Sequence, residues 1–255
     1  MKTAFIYLAQ IMSYTALLIS NPLEAQNKKR TNNYIKDTIV LNSSDNNPQL
    51  VVEIKKGVSF NHPTFAIWIE DLNGKILETI FVTQSFGSGI FGHADAGNGT
   101  WKDKPGESLR PAALPYWSHK RNKISRDSLY VPTPENPVPD AITGPTPEGD
   151  FVLSTESSYE LPDTFKVMLE INQTWDWNEY WTNNKFSNDS DYKSSSQPSV
   201  VYSTVIETEA SVLLYELIPI GHGHYSGKDG KLHKDLSTLS TALNIIEKIT
   251  VSVSN

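Results

Sequence analysis

"TFAIWIEDLNGKILETIFV", residues 64–82, decides the fold class. Phe65, Ile67 and Ile69 alternate with Ala66, Trp68 and Glu70, the period-two pattern of a strand with one apolar face. Asn73-Gly74 then supplies a pair that tolerates positive φ and suits a tight reversal. Ile76 to Val82 is β-rich again, so the stretch predicts a hairpin.

The same pattern recurs outward from it. In "FKVMLEIN" (165–172), Phe165, Val167, Leu169 and Ile171 share one face, and Lys166, Met168, Glu170 and Asn172 the other. "LVVEIKK" (50–56), "SVVYSTVI" (199–206), "VLLYELIPI" (212–220) and "KITVSVS" (248–254) read as further strands. "DLSTLSTALNII" (235–246) spaces Leu236, Leu239 and Leu243 for one or two helical turns, and "SNDSDYKSSSQPS" (187–199) reads as a polar loop. No repeat of 20–50 residues signals a solenoid or propeller. Many strands, turn chemistry between them and little helix predict an all-β fold, an antiparallel β-sandwich of immunoglobulin-like or similar type.

Between the strand blocks lies an insert rich in Gly and Pro, about residues 87–147. "RPAALPYWSHKRN" (110–122) allows a short helix, limited by Pro111 and Pro115. Long loops inside a compact domain are functional or mobile more often than idle. The insert is therefore expected to act as a contact surface or lid on a sandwich that folds without it.

The chain opens with Lys2, a mostly apolar run from Ala4 to Ile19, then Pro22 and a small residue at Ala25. That is the three-part pattern of a secretory signal peptide over residues 1–25. The run is too short and too interrupted, by Gln10, Ser13 and Tyr14, for a spanning helix of about 20 apolar residues. No later segment qualifies, so the cleaved chain is expected not to be an integral membrane protein. Residues 26–48 read as a flexible leader with one edge strand at "TIVL" (38–41), and 49–255 as a single sandwich domain. The chain has no cysteine, which excludes disulfides, iron–sulfur clusters, c-type haem attachment and thiol catalysis. A net charge of −7 argues against nucleic acid as a partner.

Taken in order, the 64–82 hairpin, "LPYW", "DAITGPTPEGDF", "LEIN", "QPSVVYSTVI" and "GHGHYSGKDGKLHKDLSTLSTA" resemble domain-of-unknown-function family 2271, predicted periplasmic proteins. The resemblance runs from about Val51 to the C-terminus. It implies an exported β-rich domain in the periplasm that accompanies PepSY-type membrane proteins and flavin-based electron transfer. It supplies no catalytic residues. The expected role is thus a non-catalytic accessory or docking component of an envelope redox system, with an envelope membrane protein as partner and no cofactor of its own.

Three stretches carry alternatives. "DAITGPT" (140–146) is similar to the acceptor motif on which extracytoplasmic flavin carriers receive FMN through a phosphodiester bond. Asp140, Thr143, Gly144 and Thr146 match it, with Pro145 where that motif has alanine, and Thr146 would be the acceptor. The same residues are also ordinary loop chemistry. In "GHGHYSGKDGKLHKD" (221–235), His222 and His224 stand two apart, a spacing that on a strand puts two imidazoles on one face for a metal. The surrounding glycines favour a loop instead. "WDWNEYW" (175–181) places Trp175 and Trp177 on one face if extended, either buried at a strand edge or offered as a platform for a sugar or flavin ring. "FGSGIFGHADAGNGTW" (86–101) lacks the Gly-Lys-Ser/Thr of a phosphate loop and reads as irregular.

Overall fold

The computed structural model describes residues 36–41, 49–97, 100–139, 142–208 and 214–254. The signal-peptide stretch lies outside them, as does most of the leader. In chain order the strands are β1 (Lys36–Leu41), β2 (Gln49–Lys56), β3 (Thr64–Glu70), β4 (Ile76–Thr83), β5 (Ile90–Phe91), β6 (Asp95–Gly97), β7 (Thr100–Trp101), β8 (Gly106–Glu107), β9 (Thr143–Gly144), β10 (Asp150–Glu156), β11 (Thr164–Asn172), β12 (Val200–Glu207), β13 (Tyr215–Glu216), β14 (Ile218–His222) and β15 (Ile246–Ser254). Three short helices join them: α1 (Gln84–Ser88), α2 (Pro115–Lys120) and α3 (Ser190–Ser195).

Two large sheets form an all-β sandwich. The first runs β1-β10-β2-β15-β13 and the second β14-β12-β11-β3-β4-β9. Neighbours are antiparallel except β1 with β10 and β4 with β9, which are parallel. The hairpin of β3 and β4 closes at Gly74, whose φ of 85° no side-chain-bearing residue adopts easily. Its backbone N–H reaches the Asp71 carbonyl at 3.1 Å. Within the leader, β1 is an edge strand alongside β10, with Lys36 opposite Asp150 in register.

The inner faces of both sheets build one apolar core. Leu50, Val52 and Ile54, Phe151 and Leu153, and Ile249 and Val251 come from the first sheet. Phe65, Ile67 and Ile69, and Phe165, Val167, Leu169 and Ile171 face them from the second. At its centre the Phe65 and Phe81 rings stack at 5.1 Å, and Phe151 meets both edge-on or tilted.

Every residue of β3 is buried, not only those facing this core. The reason is the insert. Rather than standing off as a lid, it forms a third layer on the outer face of the second sheet. Ala66, Trp68, Val82, Met168 and Val201 pack there against Phe86, Phe91, Leu114, Trp117, Val131 and Val138. This second core gives the insert a packing role, because the sheet face that it covers is itself apolar.

Two local readings also change. The polar loop at 187–199 contains α3, whose N-cap Asp189 accepts from the Tyr192 N–H at 3.1 Å, a capping bond that short polar sequences permit. The leucine-spaced stretch at 235–246 holds one helical turn, of 3-10 type, at Thr241–Asn244. "VLLYELIPI" divides at Leu217, with β13 in one sheet and β14 in the other. Among the described residues, no helix is long and apolar enough to cross a membrane.

Candidate functional site

The insert is fastened by buried carboxyl groups. Glu170 lies on the outer face of β11, fully buried. Its carboxylate accepts the Tyr116 N–H at 3.1 Å, the Trp117 N–H at 2.7 Å and the Ser199 hydroxyl at 2.5 Å. Pro115 begins α2 and has no N–H to satisfy, so Glu170 takes the next two orphan donors of that helix. Burial pushes its pKa up to about 7, against the lowering pull of those hydrogen bonds. Further along the same sheet face, opposite Lys166 in register, Glu70 accepts the Trp68 indole N–H at 2.7 Å and pairs with Lys120 at 2.8 Å. Lys120 also donates to the Gly74 carbonyl at 2.6 Å, tying α2 to the hairpin turn. Both carboxylates are enclosed and committed, so they position the insert and meet no solute.

The histidine loop serves the same layer. His222 and His233 exchange two backbone bonds, 2.8 and 2.9 Å, and their rings stack at 5.2 Å, with His224 5.9 Å from His233. Their nitrogens are engaged locally: His222 Nδ1 with the Gly223 carbonyl at 2.7 Å, His224 Nδ1 with the Ser226 N–H at 3.1 Å, His233 Nε2 with Asp229 at 3.3 Å. Among the described residues no group of three or more His, Cys, Asp or Glu side chains is placed to hold a metal ion. Gly223 is needed for close approach. A Cβ there would stand 2.5 Å from Pro115 and from the Ser199 hydroxyl that holds Glu170.

The flavin-acceptor stretch is likewise built into the framework. Asp140 lies outside the described residues. Thr143 and Gly144 form β9, paired with Val82 and Thr83 of β4. A Cβ on Gly144 would fall 2.7 Å from Ile39 and from Phe81, so close packing accounts for that glycine without a cofactor. Pro145 is exposed and Thr146 half-buried.

The tryptophans behave differently. Trp175 and Trp177 are 40% and 56% exposed, and they line one cavity of about 330 Å³ with Trp101, Asn183, Asn184 and Lys193. The Trp101 and Trp175 rings meet edge-to-face at 5.4 Å, and His93 lies 6.1 Å from Trp175. The backbone is not the extended strand that the spacing suggested. Trp175 has φ of +59°, a left-handed conformation that costs a bulky residue of order 1 kcal/mol or more.

That conformation is held from several sides. The Trp175 N–H donates to the Ser194 carbonyl at 3.2 Å, and the Asp176 N–H to Ser195 at 3.0 Å. The Asp176 carbonyl accepts from the Gln197 N–H at 2.9 Å, and its buried carboxylate accepts from the Thr241 hydroxyl. Burial raises the Asp176 pKa, opposed by that bond. Asn178 caps the next turn, accepting from the Trp181 N–H at 2.7 Å, while Trp181 itself is buried in the core. The half-turn at Trp175 thus sends Asp176 inward and both neighbouring indoles out to one cavity.

Trp101 was missed by the sequence reading, which took its glycine-rich stretch as irregular. It reaches the platform from β7, in the insert. Arg110 joins the two segments: its guanidinium lies 3.9 Å from the Phe91 ring centroid and donates to Thr174, next to Trp175, at 2.8 Å. The arrangement offers flat π faces with amide and ammonium groups at the rim, a chemistry suited to ring stacking with a few polar contacts. No family model matches the chain and no curated protein matches it, so the family resemblance rests on the ordered motifs alone.

Proposed function

We propose that the protein is an exported, non-catalytic binding module whose tryptophan platform receives a sugar ring of an envelope glycan. The observation that carries this reading is the convergence of Trp101, Trp175 and Trp177 on one open cavity, with Trp175 held at positive φ to bring it there. Exposed clusters of large apolar side chains mark interaction sites on soluble proteins. A pyranose ring presents polarised C–H groups on its flat face, which suit the electron-rich face of an indole. Its hydroxyls suit the Asn183 and Asn184 amides, which both donate and accept, and the Lys193 ammonium, which donates.

The secretory pattern at residues 1–25 and the resemblance to predicted periplasmic proteins support an extracytoplasmic setting. There the module acts as an accessory or docking component beside an envelope membrane protein. Covalent flavin on Thr146 is the weaker alternative, since packing already explains Gly144.

A glycan array followed by calorimetry on the mature protein tests the reading. Binding to one or more neutral or amino-sugar glycans is expected, with Trp177→Ala and Trp175→Gly each weakening it about tenfold or more, the scale of one lost aromatic contact. A flat array, or binding that both substitutions leave intact, contradicts it.

A further inference from the structure

A second surface has no role in the platform. A cleft of about 700 Å³ is lined by Ile76, Leu77, Glu78 and Thr79 of β4, by Arg121 and Lys123 after α2, and by Lys75 and Tyr159. Successive side chains of a strand point to opposite faces. Four consecutive strand residues line one cavity only where it runs along the strand's edge, the side on which backbone N–H and C=O groups project.

The topology agrees. β3 occupies one side of β4, and on the other β9 pairs with Val82 and Thr83 alone. Among the described residues, no strand pairs with that side of β4 over residues 76–81. Ile76 to Thr79 are half-buried and Ile80 to Thr83 buried, so the sheet edge is open over the first four residues, where the cleft lies.

The cleft is also cationic, in a chain whose net charge is −7. Lys120 is committed to Glu70 and the Gly74 carbonyl. Arg121 is not: its guanidinium lies 4.6 Å from the Trp117 ring centroid and has no carboxylate partner among the described residues. Burial lowers its pKa to about 10, a cost that an anion beside it would offset. Lys75 and Lys123 are exposed and likewise form no ion pair among the described residues. The carboxylate in the lining, Glu78, is occupied by the Ser157 hydroxyl at 2.7 Å and the Ser158 N–H at 3.1 Å. A lysine on an edge strand guards it against pairing. Here two of the three cations stand on a separate segment beyond α2, with room between them and the edge.

We propose that this edge receives an extended acidic segment of a partner protein, added as a further strand on β4, with its carboxylates meeting Arg121, Lys123 and Lys75. Main-chain hydrogen bonds give such strand addition its affinity, and alternate side chains give its specificity. The chain's own residues 26–35, "QNKKRTNNYI", carry the wrong sign for this cleft. The inference is independent of the glycan reading, and its test uses no glycan.

The probe is a fluorescein-labelled peptide alternating Glu with Val and Thr, measured by anisotropy against the mature protein, with a Lys-for-Glu peptide as control. The acidic peptide is expected to bind, more weakly as salt is added, and the basic one not to bind. Methylating alternate backbone nitrogens should weaken binding about tenfold or more, the worth of one or two lost hydrogen bonds. The exposed pair Lys75→Glu with Lys123→Glu should abolish it without changing the fold, and bound peptide should slow amide exchange within residues 76–79. Equal binding of the methylated peptide would mean charge attraction alone and would overturn the proposal. So would full displacement by inorganic phosphate at matched ionic strength, which marks a small-anion site, an affinity untouched by the double reversal, or no binding at all.

Discussion

The two faces of the second sheet are both buried, but they are sealed by different chemistry. On the inner face, aliphatic and aromatic side chains from two sheets interlock. On the outer face, an irregular segment rich in Gly and Pro is held by Trp68 and Trp117 together with two enclosed carboxylates, Glu170 and Glu70. A regular sheet satisfies its own backbone, so apolar burial suffices to cover it. The insert has few ladders of its own, and its backbone donors must be met one by one. Glu170 does this for α2. The contrast shows that a layer without regular structure is fastened by directed polar contacts, and that these tolerate less change.

The largest effect is expected from removing that layer. Replacing residues 87–147 with a short Gly/Ser linker exposes Trp68, Met168 and Val201 and strips Glu170 of two donors. The loss should exceed about 5 kcal/mol, comparable to the whole stability of a domain. Circular dichroism and melting should show no cooperative transition. A well-folded remnant would mean that the sandwich needs only its inner core.

Next come single anchors. Glu170→Leu leaves the Tyr116 and Trp117 N–H groups buried without acceptors, a cost of about 3–5 kcal/mol in urea unfolding. At pH 4.5, Glu170→Gln should cost less, about 1–3 kcal/mol, because the amide keeps one acceptor. A Leu variant as stable as the wild type would show that packing alone holds the insert.

A pH series sharpens the same point. The folded state raises the Glu170 pKa from its usual 4.5 to about 7, so it binds this proton more tightly than the unfolded chain does. The resulting stability is fully present below pH 4.5, falls as pH rises and is gone above pH 7. The protonated carboxyl can donate to the Ser199 oxygen, 2.5 Å away, and still accept from Trp117. The stability difference between wild type and Glu170→Gln should therefore shrink, by on the order of 3 kcal/mol, between those two pH values. A constant difference would remove the pKa argument.

Much of this was legible in the sequence, but only for one face. The alternation of Phe65, Ile67 and Ile69, and of Phe165 to Ile171, marks the inner core correctly. The same alternation puts Glu170 on the opposite face and does not say what covers that face. Its burial depends on Tyr116 and Trp117, more than fifty positions away, and no local pattern carries that. Gly144 and Gly223 read as loop residues, although what requires them is contact with Phe81 and with Pro115 and Ser199. Trp175 and Trp177 were placed together by assuming a strand. They do share a cavity, but through a left-handed turn that their identities do not announce, and Trp101 joins them from the insert.

The smallest effect on stability is expected at the platform. Trp175→Gly relieves the positive φ, so its melting temperature should match or slightly exceed the wild type, with a change within about 1 kcal/mol. Loss of several kcal/mol would place Trp175 among the structural anchors and separate it from the exposed working surface.

The most direct test of the account is amide hydrogen exchange on the mature protein, read peptide by peptide. If the insert is a third layer fastened by Glu170, α2 exchanges about as slowly as β3 and β11, and Glu170→Leu releases α2 first while the inner-core strands stay protected. If α2 in the wild type exchanges within seconds while β3 stays protected, the insert is a mobile lid and the account of a second core is wrong.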